Sequence, residues 1–580
     1  MRTNLILSNS YESVSTNDEV LFISKFYHDL VKEENLLKEK YKICKPIGLE
    51  KEERKSNLIE CDKIYDSILK DISKLLNDYH KIDLKIKDWE VLMGMWLKRF
   101  IWIFFYEYKL IKNALNEFKV DRIHLFDEKD YKLYTKETVG LHSAIYDFEW
   151  CNILFAKIMK FLKPQTDIKL VSPPNNHFKN QKTFYEYTSD RTSKKKYFLS
   201  LISWFTKAFI SNTDAVIINT NFKFLIEKKL EILLHQFPQH WMFPKIKYSK
   251  FEKKSRDQIQ LKKDNLSEPE KILRAILPEA IPLCLVEDFD EIGKIENKLR
   301  LPKNPKFIFT SMEHQFNEIF KRYIVKKKTN FYIGQHGQGQ HSHFINNFLI
   351  DKKISTKEIL WGNYSNSSNN LNGFNFKVLG KKRDFHKKGY LTMISRGFSL
   401  GSSPYDTYED DKAHLITTGN ILEKINEEIK NKIYFKTHPA NYEREFRLLK
   451  KLIPNQKIKF IRNQNQFESI LKKTRLSFFN NDSTLFAENL ALNRPSILYW
   501  KNPFESLNDN ACEFYQLLIN ANIIFTDEVS IINHINNYWD KIDDWWKSEN
   551  TQKSISTYNK LFNMVPNNES LKKLSKELTL

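Results

Sequence analysis

Residues 475–503 read RLSFFNNDSTLFAENLALNRPSILYWKNP, and they contain one complete strand–turn–helix–strand unit. The apolar run over 476–479 has the length of a buried strand, and the Asn-Asn-Asp that follows it favours a turn. From Ser483 the apolar residues recur at helical spacing, with Ser483 itself in the position of an N-cap. Asn-Arg-Pro at 493–495 ends that helix before a second apolar run of strand length. This unit is the repeat of a parallel α/β sheet.

The turn of this unit predicts an anion-binding site. Ser483 and Thr484 stand at a helix start, where unpaired backbone N–H groups and the helix dipole favour negative charge. Glu488 lies in the second helical turn, near the mouth of the same crevice. In open α/β sheets such crevices, at the carboxyl ends of strands, are where nucleotide ligands bind.

Composition limits the classes of protein that fit. A chain of 580 residues is too long for one ordinary core, so two or three domains are expected. The formal charge of +21 has two explanations: a compositional bias towards Lys, Asn and Ile, or a surface that attracts anionic sugars, nucleotides or phospholipid headgroups. Lys is spread along the chain without long basic runs, which argues against a nucleic-acid partner. The five cysteines form no CxxC pair, so neither a disulfide framework nor a zinc site is indicated.

The N-terminal residues lack the pattern of a secretion signal. The most apolar segment, 91–108, is interrupted by Lys98 and Arg99 and is short for a transmembrane helix. We therefore expect a cytoplasmic location, either in solution or peripheral at the inner face of the cytoplasmic membrane.

Strand and helix patterns predict the organisation of the chain. Residues 1–165 are expected to be mostly helical, with two early strands and an aromatic helical stripe over 89–108 that serves packing. Residues 166–355 and 356–547 are each expected to form an α/β unit, and 548–580 a helical tail. The predicted fold class is α/β with two Rossmann-like domains.

A glycine-rich loop, GQHGQGQH at 334–341, follows a buried strand. Its glycines allow the backbone to approach a ligand closely, and His336 and His341 titrate near neutrality, which suits a general base or a phosphate contact. Two alternatives are a metal site formed by His336, His341 and His343, and a loop with incidental histidines. The metal alternative is disfavoured because no carboxylate or Cys lies nearby in sequence, so no bound metal is expected.

The second α/β unit carries two further candidates. Its first strand, 390–394, ends near Arg396, and the strand over 432–436 delivers Lys436 and then Thr437-His438-Pro439. Groups at the carboxyl ends of neighbouring parallel strands face one crevice, so these cationic side chains are expected beside the Ser483-Thr484 turn.

Thr437-His438-Pro439 together with residues 481–488 resembles the donor-domain signature of bacterial capsule Kdo transferases, although Asn493-Arg494-Pro495 stands where that family has Gly-x-Pro. Over nearly its whole length the chain is similar to a less characterised group of transferases encoded in O-antigen and surface-polysaccharide loci. The glycine loop also resembles the His-Gly loop of the glycerophosphotransferases that build teichoic acid. One departure is Gln338-Gly339-Gln340-His341, where the polysaccharide group has further glycines and a Tyr. The residues that match the polysaccharide group are Leu76-Asn77, His80, the helix from Trp89, Gln335-His336-Gly337, Trp361-Gly362, Ser483-Thr484, Glu488, Trp500-Lys501-Asn502-Pro503 and Trp545-Trp546.

The resemblance implies a GT-B glycosyltransferase, with two Rossmann-like domains facing across a cleft and no bound metal or other cofactor. It implies a nucleotide-sugar donor, foremost a CMP-linked ulosonic acid (Kdo or a nonulosonic acid), and a bacterial surface glycan or lipid-linked glycan as acceptor. His336 would act as base from one domain and His438 would contact the leaving phosphate from the other. The remaining assignments are donor contacts by Lys436, Pro439, Ser483, Thr484, Glu488 and Arg396, and acceptor or loop roles for Gln335, Gly337, Gly339 and His341.

Two other functions fit the same residues. A CDP-polyol phosphotransferase of the teichoic-acid type would use the two histidines differently, and a non-catalytic protein that binds polyanions or glycans would keep the fold without the chemistry. If His336 is not the base, Glu287 and Asp288 are the next candidates.

Overall fold

The computed structural model describes residues 2–7, 18–25, 27–28, 40–127, 133–145, 147–171, 201–311, 317–364, 367–381, 388–395, 411–437, 442–454 and 458–580. These residues form three parallel sheets with helices packed against them. The helices are α1 (Lys51–His80), α2 (Ile86–Glu117), α3 (Leu141–Ala144), α4 (Phe148–Leu162), α5 (Phe224–Leu233), α6 (Lys253–Arg256), α7 (Glu268–Ala280), α8 (Phe289–Lys298), α9 (Glu318–Lys327), α10 (Asp351–Ile354), α11 (Asp411–Lys424), α12 (Glu427–Lys430), α13 (Tyr442–Leu452), α14 (Gln464–Leu471), α15 (Thr484–Ala491), α16 (Asp509–Asn520), α17 (Glu528–Tyr538), α18 (Ile542–Trp546), α19 (Glu549–Phe562) and α20 (Ser570–Glu577).

Each sheet is parallel throughout the described pairings, as expected when helices connect successive strands. The first sheet has the order β3-β2-β1-β4-β5, with β1 (Thr3–Ile6), β2 (Glu19–Phe22), β3 (Tyr41–Ile43), β4 (Arg122–Phe126) and β5 (Asp167–Val171). The second has the order β10-β9-β8-β7-β6, with β6 (Val216–Ile217), β7 (Ile308–Thr310), β8 (Phe331–Gly334), β9 (Lys357–Leu360) and β10 (Asn370–Asn372). The third has the order β13-β12-β11-β14-β15-β16, with β11 (Tyr390–Ile394), β12 (Ile433–Lys436), β13 (Lys459–Ile461), β14 (Thr474–Phe479), β15 (Ser496–Tyr499) and β16 (Ile524–Phe525).

The long helices α1 and α2 form the core that joins the first two sheets. The stripe predicted in 89–108 is buried, including Trp89, Trp96 and Phe104, and belongs to one apolar cluster with residues of both sheets. The turn between the helices is fixed by Asn77, whose Oδ1 accepts hydrogen bonds from the Trp89 Nε1–H (2.9 Å) and the Leu84 N–H (3.2 Å). The aromatic stripe is therefore packing, as predicted.

The unit at 475–503 has the predicted strand–turn–helix–strand order. β14 ends at Phe479, the Ser483 Oγ caps α15 by accepting from the Phe486 N–H (3.3 Å), and β15 pairs in parallel with β14. The helix is followed by Asn493, whose φ of +50° is a conformation that Asn tolerates better than most residues. The third sheet has an apolar core of its own around these elements.

The last two helices return from the third sheet to the second. α19 packs on the third unit, whereas α20 packs against α5, and Leu571, Leu574 and Leu578 belong to the apolar cluster of the second sheet. The crossing runs beside Gly362, where a Cβ atom would lie 1.9 Å from the Leu561 carbonyl oxygen. Only glycine permits so close a backbone approach, which explains the Trp-Gly pair noted in the sequence.

The expected α/β class is confirmed, together with the helical character of the N-terminal region. That region also contains a five-stranded sheet, of which the sequence indicated two strands. β9 and β10 lie beyond the boundary predicted at residue 355 but pair with the second sheet, so the change to the third sheet falls between Asn372 and Tyr390. The remaining boundaries, at 165 and 547, stay predictions. Within the described ranges, no helix has the length and apolar character needed to cross a bilayer.

Candidate active site between the second and third sheets

The loop after β8 contacts the turn after β14. The Gln338 N–H donates to the Thr484 Oγ1 (3.2 Å), which joins the glycine loop of the second sheet to the start of α15 in the third. At Gly337 an added Cβ would lie 2.6 Å from the same Oγ1, so a larger residue there would force the contact to change. The two motifs that the sequence indicated separately are therefore in contact.

Gln335 holds the loop rather than facing a ligand. Its side chain is buried; its Nε2 donates to the Gly337 carbonyl (3.0 Å) and its Oε1 accepts from the Trp361 N–H (2.7 Å). These bonds tie the loop to the strand end of β9. A buried amide with both ends satisfied fixes the path of the backbone on which His336 is carried.

His336 is half-buried at the carboxyl end of β8, and its Nδ1 lies 3.1 Å from the Ser311 carbonyl oxygen. A carbonyl accepts only, so Nδ1 must carry the proton, and the neutral ring then has its basic lone pair on Nε2. The backbone around this residue is also held, because the Asn221 Nδ2 donates to the His336 carbonyl (2.9 Å) and the His336 N–H donates to the Gln340 Oε1 (2.6 Å). The role of His336 as a general base stays a prediction.

A polar network that the sequence did not reveal links the two units behind the loop. Asp482 accepts on its Oδ2 from the Tyr515 hydroxyl (2.7 Å) and from the His343 Nε2 (3.1 Å). The Gln338 Nε2 donates to the Tyr515 hydroxyl (2.8 Å) and to the Tyr558 hydroxyl. The sequence indicated Asp482 as a turn residue, His343 as a possible metal ligand and Gln338 as part of the glycine loop, but it did not connect them.

This network is buried and its tyrosines stay neutral. Burial, with the nearby Asp482 charge as a further contribution, raises the pKa of Tyr515 and of Tyr558 well above the ordinary value. The other carboxylate oxygen of Asp482, Oδ1, is buried and has no hydrogen-bond partner among the described residues. A buried acceptor in that state is a candidate partner for a ligand hydroxyl.

His341 and His343 each stack on an aromatic ring. His341 stacks on Tyr364 (ring centroids 4.8 Å apart), and burial lowers its pKa to about 3. His343 stacks on Trp500 (5.5 Å) while it bonds to Asp482. The described residues contain no group of three or more His, Cys, Asp or Glu side chains placed to hold a metal ion.

Glu488 is buried and forms an ion pair with Lys381, which precedes the third sheet. Its charge also acts on the neighbouring Lys377, whose pKa burial lowers and Glu488 raises in part. In this structure the carboxylate thus contacts the segment that joins the two units, and a role in holding ribose or sugar hydroxyls stays a prediction.

Lys436 stands at the carboxyl end of β12, as expected. Its ammonium donates to the Thr437 carbonyl (3.1 Å), and burial lowers its pKa, opposed by the charge of Glu445. His438, Pro439 and Arg396 lie outside the described residues, so their predicted roles stay predictions.

The two fallback candidates for the base have other partners. Glu287 binds Arg256 through both carboxylate oxygens (2.7 Å each), and Asp288 accepts from the Ser249 N–H (3.0 Å). Both carboxylates are thus bonded within the second unit, and the identity of the base stays a prediction.

Comparison with solved structures finds weak likenesses that extend over most of the chain. The wall teichoic acid polymerase TagF has a TM-score of 0.30 at 9% identity, covering 73% of this chain and 96% of that one. The Anabaena protein HepE, solved with UDP and glucose, has a TM-score of 0.34 at 9% identity, covering 63% and 99%. Acinetobacter baumannii MurG has a TM-score of 0.31 at 10% identity, covering 79% and 98%.

A sequence comparison with curated proteins finds no significant match. A family model does match, and it describes LIC12162 family transferases and spans residues 3–578. That span includes all three sheets, the glycine loop and the Ser483-Thr484 turn. The chain belongs to the LIC12162 family of transferases.

Proposed function

We propose that this transferase moves a glycosyl group from a nucleotide sugar to a glycan acceptor, with His336 as the base. The observation that carries the proposal is the contact between the His336 loop and the start of α15, through Gln338 and Thr484. This contact joins the loop that carries His336 in one unit to a helix start in the other unit, where an anion is favoured. Glycosyl transfer from a nucleotide with inversion at the anomeric carbon uses these two elements at one site.

The chemistry follows from their positions. The His336 Nε2 takes the proton of the acceptor hydroxyl as its oxygen bonds to the anomeric carbon. The bond from that carbon to the nucleotide phosphate breaks, and the electron pair leaves with the phosphate. Negative charge therefore develops beside the helix start at Ser483-Thr484, where fixed N–H dipoles stabilise it without reorganisation. Lys436, at the end of β12 in the same sheet, is the described cation that would assist.

The donor we propose is a CMP-linked ulosonic acid, and the acceptor a bacterial surface glycan such as O-antigen or capsule. The support is the resemblance of residues 437–439 and 481–488 to the donor signature of Kdo transferases. Asp482 lies within that second stretch, and its buried, unpartnered Oδ1 suits a hydroxyl of the sugar or ribose.

The second candidate, polyol-phosphate transfer from a CDP-polyol, is supported by the resemblance of the glycine loop. In that reaction the bond that breaks is within the diphosphate, so CMP is also released but no sugar is transferred. A panel of CMP-sugars and CDP-polyols, with free CMP and the transferred group measured separately, distinguishes the two reactions. A chain that binds glycan but turns over no donor would be the non-catalytic alternative.

The role of His336 has a direct test. We expect His336→Ala to leave donor affinity nearly unchanged and to lower turnover by roughly 10²–10⁴-fold, the usual contribution of a general base. His235→Asn is the matched control, because His235 is an exposed histidine of the same unit. Its φ of +56° is one that Asn accepts. Full turnover by His336→Ala at saturating acceptor would show that the loop binds or supports rather than catalyses.

A further inference from the structure

One helical segment of the second unit has its apolar face exposed to solvent and its polar face buried. Residues 201–206 are helical and continue as a 3₁₀ turn over Lys207–Phe209. Their outward face carries Leu201, Trp204 and Phe205, with 49%, 77% and 57% of each residue exposed. Together with Phe209 and Phe237, 49% and 42% exposed, these residues form what we call the aromatic patch.

The inward face of the same segment carries hydroxyls. Ser203 and Thr206 are buried, and the Thr206 carbonyl accepts from the Gln239 Nε2 (3.1 Å). Positions 201, 204, 205 and 208 follow the spacing of a single helical face, so this face is apolar along its length. A surface helix ordinarily turns such a face towards the core, where burial stabilises it. The fold therefore does not account for the outward orientation of the patch.

The patch is continuous and firmly attached. The Phe209 ring lies between the other two phenylalanines, with centroids 5.3 Å from Phe205 and 4.5 Å from Phe237. The Arg300 guanidinium donates to the Ala208 carbonyl (3.2 Å), which ties the segment to the rest of the unit. Exposed aromatic side chains that are held by contacts with one another and by a backbone hydrogen bond indicate an interaction surface.

Three cations lie in the segment that carries the patch or bind the backbone beside it. Lys207 lies within the segment, Arg300 binds its backbone, and the Lys306 ammonium donates to the Leu234 carbonyl (2.9 Å), close to Phe237 in sequence. Glu227 and Glu231 of α5 are neutralised in part by Lys228, at 3.1 Å and 2.9 Å. With a chain charge of +21, the rim favours an anionic partner.

We propose that the aromatic patch docks this protein on a bilayer that carries anionic lipids. Trp and Phe rings partition into the zone between headgroups and acyl chains, and Lys and Arg beside them bind the headgroups. A small apolar patch alone binds a membrane weakly, so the cationic rim is needed for stable attachment. The patch leads into the amino end of β6, whereas the candidate site lies at the carboxyl ends of the strands. Membrane docking and donor chemistry therefore take place at opposite ends of the strands of the second sheet.

The test is co-sedimentation of the full chain with vesicles of phosphatidylcholine alone and of phosphatidylcholine with phosphatidylglycerol. We expect binding to the anionic vesicles that weakens at high salt, and a roughly tenfold or greater loss in Trp204→Ser/Phe205→Ser. Val529→Ser is the matched control, since Val529 is 67% exposed on α17 of the third unit, and it should bind as the wild type does. Donor hydrolysis in solution should be the same in all three proteins.

Three results would overturn the proposal. The first is vesicle binding by the double variant equal to that of the wild type, and the second is no binding by either protein. The third is a wild-type dimer, measured by light scattering, that the double variant converts to monomer without any vesicle binding, which would make a second copy the partner. If thermal unfolding shows that the double variant is destabilised, Trp204→Ser alone decides the question, because that side chain is the most exposed of the patch.

Discussion

Replacing Gly337 with alanine should separate the two halves of the candidate site by less than one ångström. The new Cβ would lie 2.6 Å from the Thr484 Oγ1, whereas ordinary van der Waals contact begins near 3.4 Å. The clash is relieved either by rotation of the Thr484 side chain about χ1, which breaks its bond from the Gln338 N–H, or by a movement of the loop or the helix start of about 0.8 Å. The backbone at Gly337 does not have a positive φ, so alanine adds no backbone strain and the contact alone is perturbed.

A misplacement of about 1 Å between reacting groups costs on the order of 10²-fold in rate. We therefore expect Gly337→Ala to lower kcat/KM by up to about 10²-fold, equivalent to about 2.7 kcal/mol of transition-state stabilisation. Global stability should change little, since the displaced contact is one loop against one hydroxyl. Donor-dependent glycosyl transfer and thermal unfolding measure the two effects.

The double variant Gly337→Ala/Thr484→Ala makes the test specific. Thr484→Ala removes the oxygen that the new methyl group would meet, so adding Gly337→Ala in that background should cost less than about threefold. Gly419→Ala is a control for the methyl group itself, because it lies in α11 with 3.6 Å to its nearest neighbour and should be neutral or stabilising. If Gly337→Ala were harmless, or equally harmful in both backgrounds, the loop and the helix start would not act as one site.

Two further predictions concern single side chains. Ser483→Ala and Asn463→Ala each remove an N-cap, and each should lower the free energy of unfolding by about 1 kcal/mol. Only Ser483→Ala should weaken CMP binding in a calorimetric titration. Equal CMP affinity in the two variants would show that the turn is not part of the donor site. Burial lowers the pKa of His341 to about 3, below its unfolded value of about 6.5, so stability is complete above pH ~6.5 and falls as pH drops towards 3. His341→Gln should reduce that slope by up to about 1.4 kcal/mol per pH unit, measured by urea unfolding at pH 7 and 5; an unchanged slope would mean that His341 is not buried as a neutral ring.

The third sheet could be predicted from sequence because its strands and helices alternate in short, strongly patterned segments. β11, β14 and β15 end within a residue or two of the predicted positions. The complete first sheet could not be predicted, because α1 and α2 separate β3 from β4 and interrupt the alternation of strands and helices. β3 is also only three residues, Tyr41–Ile43, with little apolar character.

The site divides in the same way. The glycine loop and the Ser483-Thr484 turn were predictable because each follows a buried strand, and carboxyl strand ends are where ligand loops lie. Tyr515 and Tyr558 were not, because a tyrosine on the apolar face of a helix looks like core until its hydroxyl is seen against Asp482. The pairing of Glu488 with Lys381 depends on how two units meet, which no local pattern records.

The return of α20 to the second sheet sets an order of events during synthesis. A ribosome makes the third unit complete before residues 571–578 emerge, yet Leu571, Leu574 and Leu578 fill part of the apolar cluster around β6 and β7. That surface of the second unit therefore stays uncovered until residues 571–578 have been synthesised. Domains ordinarily fold from the N-terminus during translation, and waiting apolar surface invites aggregation and chaperone binding. A nascent chain stalled before residue 570 should expose this surface, and one released after residue 578 should not.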